Sequence, residues 1–297
     1  MMSVEIVESH LDLKDFQSDV KPTWCPGCGD YGVLRGTLEA MKELQIPPRN
    51  IVVVSGIGCS SNFPHFLSSY GVHALHGRAL PVGMGIQLAN HELTTIVAGG
   101  DGDGYGIGAG HFVHACRRNV NITYIVMNNE IYGLTTGQAS PTSREGLVTK
   151  STPRDYSLHE LPLNPIAVAL AAGASFVARG FSGERTHLAN LVEEGIKHRG
   201  FSYIDVISPC VTFQKMATYD FFKERVFKIE DNEYDTSDFG AAMAHAREPW
   251  EEKIAIGLFY QEDRPLYEDY EPTLRRGPLV SQKRNLRNQK KILKQFY

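Results

Sequence analysis

The run Thr94-Thr95-Ile96-Val97-Ala98-Gly99-Gly100-Asp101-Gly102-Asp103-Gly104-Tyr105-Gly106-Ile107-Gly108-Ala109-Gly110 reads as a buried strand that empties into a glycine-rich turn. A helical segment, His111 to Arg118, follows the turn, and a second apolar run, Ile122 to Met127, ends in Asn128-Asn129. Strand, turn, helix and strand make one βαβ unit. Glycines at such a turn let the backbone approach a phosphate and aim N–H groups at it.

Asp101 and Asp103 stand in that turn, where they would repel a phosphate. A divalent cation between carboxylate and phosphate removes the conflict, and Mg²⁺ commonly bridges the two. Asn129 lies at the carboxyl end of the next strand. Adjacent parallel strands bring such ends side by side, so Asp101 and Asn129 can meet at one ion. Two rival readings are weaker. Gly104-x-Gly106-x-x-Ala109 fits a permissive dinucleotide fingerprint, with Glu130 near the place of a ribose-binding acid, but that fingerprint uses no metal. A calcium loop needs an acid at its twelfth position, where Phe112 stands. Six glycines between Gly99 and Gly108 are too costly in chain entropy for a turn that binds nothing.

A chain of 297 residues holds one large domain or two small ones. Its net charge of −4 gives no electrostatic reason to expect nucleic acid. Its longest apolar runs, such as Ile51-Val52-Val53-Val54, are too short to span a bilayer, so no membrane is expected. The polar, acidic start lacks the pattern of a signal peptide, which makes the cytoplasm the expected compartment. Three parts are expected: a flexible or partner-bound lead-in over 1–21, an α/β domain over 22–230, and a C-terminal extension over 231–297 that docks on a partner. The βα alternation from Ile51 to Ile207 predicts a doubly wound, mainly parallel sheet. Lys253 to Tyr260 reads as one more strand, and Ser140 to Pro153 as a polar surface loop near the site. Arg275 to Tyr297 carries eight Lys or Arg and no acid, the pattern of a solvated tail or a docking segment.

The five cysteines fit metal or redox chemistry better than a disulfide framework. Trp24-Cys25-Pro26-Gly27-Cys28 admits a redox pair, half of a zinc knuckle, or one close pair of a [4Fe–4S] site. Cys59, in the loop Ile57-Gly58-Cys59-Ser60, and Cys210 each follow a predicted strand, so their loops should open on the same edge of the sheet. The loop of Cys59 can touch both a cluster and a cofactor. Cys116, on the helix after the glycine turn, reads as a packing residue.

Gly-Asp-Gly, a spacer and Asn-Asn resemble the diphosphate–Mg²⁺ motif of thiamine diphosphate enzymes. The longer string from Gly100 to Gln138 is similar to the β subunits of the 2-oxoacid:ferredoxin oxidoreductases, in particular the 2-oxoglutarate type. The likeness runs from about Pro22 to Lys215 and weakens towards Tyr260. It implies a thiamine diphosphate cofactor faced by Ile57, Gly58, Cys59, Ser60, Gly102, Asp103, Gly133 and Leu134. The implied Mg²⁺ ligands are Asp101, Asn129 and the Ile131 carbonyl, and the [4Fe–4S] ligands are Cys25, Cys28, Cys59 and Cys210. Leu134 is implied as the wedge that bends the cofactor, and His76 and Arg78 as neighbours of it or of a subunit contact. The glutamate that activates the aminopyrimidine has no candidate here, which implies a larger α subunit. A 2-oxoacid, coenzyme A and ferredoxin complete the implied partners.

Overall fold

A computed structural model describes residues 10–153, 156–283 and 289–296. Its frame is one eight-stranded sheet built from β1 (Ile51–Ser55), β2 (Tyr70–His73), β3 (Thr94–Gly100), β4 (Ile122–Asn128), β5 (Phe176–Phe181), β6 (Phe201–Ile207), β7 (Val226–Lys228) and β8 (Ile254–Gln261). The order is β2-β1-β3-β4-β6-β5-β8-β7. The first six strands in that order run parallel, β8 is antiparallel to β5, and β7 runs parallel to β8. The central strands are buried end to end, as expected where helices cover both faces. Helices Asp30–Leu44 and Arg185–Lys197 contribute to the core on one face. Ala79–Ala89, Ala109–Arg118, Pro165–Ala171 and Phe239–Ala246 contribute to the other.

The chain leaves β1 towards β2 on one side and returns to β3 on the other. The crevice at the carboxyl ends of β1 and β3 is therefore a topological switch point, where doubly wound sheets bind ligands. The register holds that edge level. Gly100 lies beside Met127 and Asn128 beside Ile207, so the segments after β3, β4 and β6 leave the sheet together.

Several details depart from the sequence reading. The glycine-rich turn is not an open loop before a helix at His111. Gly102–Ile107 is a wide π-type helical segment that runs into helix Ala109–Arg118. Its glycines answer chiefly to two tyrosines. A Cβ on Gly104 would collide with the Tyr124 hydroxyl, one on Gly99 would stand 2.7 Å from it, and one on Gly102 would collide with the Tyr132 ring. The expected lead-in is packed where it is described: Phe16 is buried in the core and Gln17 bridges Leu67. Residues 1–9 lie outside the described residues. β8 joins β5 to β7, so the segment after residue 230 shares the sheet of the domain before it. The basic stretch Arg275–Tyr297 is described only in part, with a short helix over Gln289–Leu293.

Gly104→Ala should lower stability by about 1–3 kcal/mol, the usual cost of overpacking. Thermal unfolding of Gly104→Ala, Tyr124→Phe and the double variant checks this. The double variant should recover part of the loss, because removing the hydroxyl opens the space the new methyl needs.

Candidate active site

The crevice is lined by Ile57 to Ser60, His76, Gly100 to Asp103, Asn129 and Ile131 to Thr135, with a volume of about 120 Å³. The two aspartates of the turn do different work in it. Asp103 Oδ1 accepts three hydrogen bonds: from the Ile57 amide at 2.9 Å, the Gly77 amide at 2.7 Å and His76 Nδ1 at 2.8 Å. One carboxylate thereby ties the turn to the loop after β1 and to the loop before helix Ala79–Ala89. Because Nδ1 is committed to Asp103, the Nε2 edge of His76 faces away from it.

Asp101 is as buried as Asp103 but poorly supplied with donors. Thr142 Oγ1 donates to Oδ2 at 2.8 Å, and the Asn129 amide reaches Oδ1 only at 3.4 Å. Burial raises its pKa to about 6, against the pull of the Ser140 and Thr142 hydroxyls. Such a carboxylate suits a bound divalent cation, which would hold it ionised. Asn129 Oδ1 accepts the Ile131 amide at 3.1 Å and keeps a second lone pair. With the Ile131 carbonyl these are oxygen donors, which fits Mg²⁺.

The cysteines gather beside this crevice. Gly29 N–H donates to the Pro209 carbonyl at 3.1 Å, and a Cβ on Gly29 would stand 2.6 Å from Ser208 backbone. The Cys25–Cys28 turn is thus docked on the Ser208–Cys210 segment, with Ser208 Oγ donating to Asp30 at 2.6 Å. Trp24 Nε1 donates to the Cys59 carbonyl at 2.8 Å and holds the third segment. A Cβ on Gly133 would lie 3.5 Å from Cys59 Sγ and 3.8 Å from Cys210 Sγ, so this crevice-lining glycine stands in contact distance of both sulfurs. Burial pushes the Cys59 thiol up to about 12, with the Asp30 charge and the Cys210 and Cys25 sulfurs adding to it, and raises Cys28 as well. Thiolates form in such a place when a metal supplies positive charge. Among the described residues, no three His, Cys, Asp or Glu side chains close around a single ion. The cysteine segments are gathered at one corner without closing around a single ion. Cys116 is apart from them, fully buried in the apolar core.

Other predicted site residues are placed less directly. Leu134 lines the crevice and is exposed. Arg78 does not line it; its Nη1 reaches the carbonyls of Gly77 at 3.3 Å and Ile107 at 3.4 Å. The segment expected to lie on the surface begins buried. Ser140, Thr142 and Ser143 are covered, and Ser143 Oγ donates to the Glu130 carbonyl at 2.6 Å. Glu130 is itself buried and takes two hydrogen bonds from Arg144, at 2.8 and 3.1 Å. No sequence pattern marked these hydroxyls, because short polar residues in a proline-containing run also compose ordinary loops. A larger cavity of about 760 Å³ lies beyond Glu130, Arg144 and Trp250. It contains neither Asp101 nor any cysteine, so size does not locate the chemistry here.

The fold, the switch-point crevice and the paired aspartate turn define a thiamine diphosphate-binding enzyme domain. Residues 56–206 match the family model described as thiamine pyrophosphate enzyme, C-terminal TPP binding domain. Residues 210–276 match the model for the C-terminal part of the pyruvate ferredoxin oxidoreductase beta subunit. The chain is 46% identical over 252 residues to the 2-oxoacid:ferredoxin oxidoreductase subunit beta of Saccharolobus solfataricus, covering 81% of this chain and 82% of that one. It is 40% identical over 245 residues to the 2-oxoglutarate synthase subunit KorB of Archaeoglobus fulgidus, covering 80% and 91%. Among solved structures it is similar to the 2-oxoglutarate:ferredoxin oxidoreductase of Magnetococcus marinus with 2-oxoglutarate, coenzyme A and succinyl-CoA bound. That match has a TM-score of 0.88 and 43% identity over 95% of each chain. The chain belongs to the β subunits of the thiamine diphosphate-dependent 2-oxoacid:ferredoxin oxidoreductases, which work with an α subunit.

Asp103→Ala should free the Ile57 and Gly77 amides, whereas Asp103→Asn keeps an acceptor at Oδ1. Hydrogen exchange checks this: faster exchange at both amides in the alanine variant, with near-native protection in the asparagine variant.

Proposed function

We propose that this chain is the β subunit of a cytoplasmic enzyme that oxidatively decarboxylates 2-oxoglutarate, passes the acyl group to coenzyme A, and sends electrons singly through a [4Fe–4S] cluster to ferredoxin. The observation that carries this reading is the shared wall at Gly133. A cysteine corner and a diphosphate-type crevice stand back to back, with Cys59 lining the crevice itself. An enzyme that only decarboxylates needs no electron exit beside its cofactor.

Thiamine diphosphate, when bound, supplies the carbanion that attacks a 2-oxo carbon and takes up the electrons left by decarboxylation. This chain's residues hold it. Asp101, Asn129 and the Ile131 carbonyl take Mg²⁺. Gly102 and the amides of Gly133 and Leu134 would bind the diphosphate, and the Leu134 side chain would shape the cofactor. The Ile57–Ser60 loop forms the facing wall, with Asp103 fixing it and orienting His76. Cys25, Cys28, Cys59 and Cys210 hold the cluster, and Phe213 N–H points at Cys210 Sγ from 3.5 Å, a donor of the kind that stabilises a bound thiolate.

The crevice, at about 120 Å³, suits the diphosphate end rather than the whole cofactor. Exposed apolar side chains surround it: Ile57, Leu75, Ile107 and Leu134, with Val211 beside the cysteines. An α subunit that covers them would bring the missing aminopyrimidine half of the site. The preference for 2-oxoglutarate rests on the relatives from Archaeoglobus fulgidus and Magnetococcus marinus, whose names carry it. Five free cysteines support a reducing compartment; separately, no described helix is long and apolar enough to cross a membrane.

Anaerobic purification with the α subunit, followed by assay of several 2-oxoacids with coenzyme A and a one-electron acceptor, tests the reading. The complex should prefer 2-oxoglutarate and require coenzyme A, and the isolated chain should not turn over. Preference for another 2-oxoacid, or turnover without an electron acceptor, would overturn it.

The cluster has its own test in iron content and visible absorbance. Cys59→Ser and Cys210→Ser should each bleach the brown colour and abolish electron transfer, because a soft thiolate is lost. Cys116→Ser should keep its iron. Loss of iron in Cys116→Ser with retention in Cys210→Ser would refute the ligand set.

A further inference from the structure

We propose that Thr142 is a positioning residue that presents Asp101 to its cation through one oxygen, and so sets a preference for Mg²⁺ over Ca²⁺. This rests on the reading of Asp101 as a metal ligand. Thr142 Oγ1 lies 2.8 Å from Asp101 Oδ2 and 3.0 Å from Asn128 Oδ1, and all three residues are buried. A hydroxyl has one proton to donate. The carboxylate is the nearer acceptor and the charged one, so it takes that proton. Oδ2 is thereby engaged. Oδ1 meets the Asn129 amide only at 3.4 Å, which makes it the more available of the two oxygens for a cation.

The threonine is itself held in place. Asn128, whose Oδ1 is the hydroxyl's competing acceptor at 3.0 Å, is itself fixed by Nδ2 donating to Asp205 Oδ1 at 3.1 Å. Asp205 Oδ2 accepts from Arg179 Nε at 3.1 Å, and both members of that ion pair are fully buried. The neighbouring Ser143 Oγ donates to the Glu130 carbonyl and accepts the Ser140 amide at 2.8 Å, which staples the segment to the one carrying Asn129 and Ile131. The Asp101 carboxylate therefore cannot turn freely to offer both oxygens. Mg²⁺ demands a compact, near-octahedral set in which a carboxylate gives one oxygen, whereas Ca²⁺ readily takes two at longer distance.

The test uses the complete αβ complex and measures retention of thiamine diphosphate after gel filtration, titrated with Mg²⁺ or with Ca²⁺. Thr142→Val removes the hydroxyl at nearly constant volume. It should raise the Mg²⁺ requirement by about tenfold or more, without a matching rise for Ca²⁺, so that the preference falls by a similar factor. Thr142→Ser keeps the hydroxyl and should keep the native preference. If the valine variant does not fold, Thr142→Ala is read in the same way. An unchanged Mg²⁺-to-Ca²⁺ ratio in the hydroxyl-free variant, including an equal weakening of both ions, would overturn the proposal. If the wild-type complex binds the cofactor with no divalent requirement at all, the assignment of Asp101 as a metal ligand fails first, and this inference with it.

Discussion

The site depends on one oxygen atom, Oδ1 of Asp103, and the three donors that converge on it. The Ile57 and Gly77 amides belong to loops that the sheet alone does not fix relative to the glycine turn. Hydrogen bonds to a charged acceptor are the strong ones, and this acceptor is buried, where a lost partner is most costly. The walls of the crevice are thus set by a carboxylate that belongs to neither loop. Gly56 follows from the same constraint, since a side chain there would drive into Asp103.

Two carboxylates two residues apart, both buried, serve opposite ends because their surroundings differ. Asp103 has three protein donors on its Oδ1 and acts as structure. Asp101 has fewer donors, and burial shifts its pKa up to about 6, so a cation beside it would favour its ionised form. The contrast comes from segments that the Gly-Asp-Gly-Asp pattern does not contain: the Ile57 and Gly77 loops on one side, Ser140 to Ser143 on the other.

This explains what was legible in the sequence. The β-branched runs from Ile51 to Ile207 announced a parallel sheet, since a strand covered on both faces carries no polar alternation. Strand ends then located Cys59, Asp101, Asn129 and Cys210 on one edge without further information. The division of labour between the aspartates was not legible, because it rests on donors far away in sequence. The glycines misled in part. Phosphate approach and accommodation of Tyr124 and Tyr132 demand the same residue, and composition does not separate the two reasons. The buried state of Thr142 and Ser143 was hidden for a related reason: short hydroxyl residues serve equally in exposed turns and as satisfied partners of a buried carboxylate.

Gly133 shows how the two halves of the site constrain each other. It follows Asn129 and Ile131, so its backbone belongs to the crevice, and the side of its Cα faces Cys59 and Cys210 sulfur. A methyl there would meet both sulfurs at ordinary contact distance, and a larger side chain would press on segments whose backbone Trp24 and Gly29 hold. The cysteine corner is therefore not a separate module appended to a cofactor domain. Cys59 and Cys210 follow β1 and β6, and Gly133 follows β4, in a sheet whose order there is β1-β3-β4-β6. The closeness of the cysteine corner to the crevice then follows from sheet geometry, with Gly133 between them.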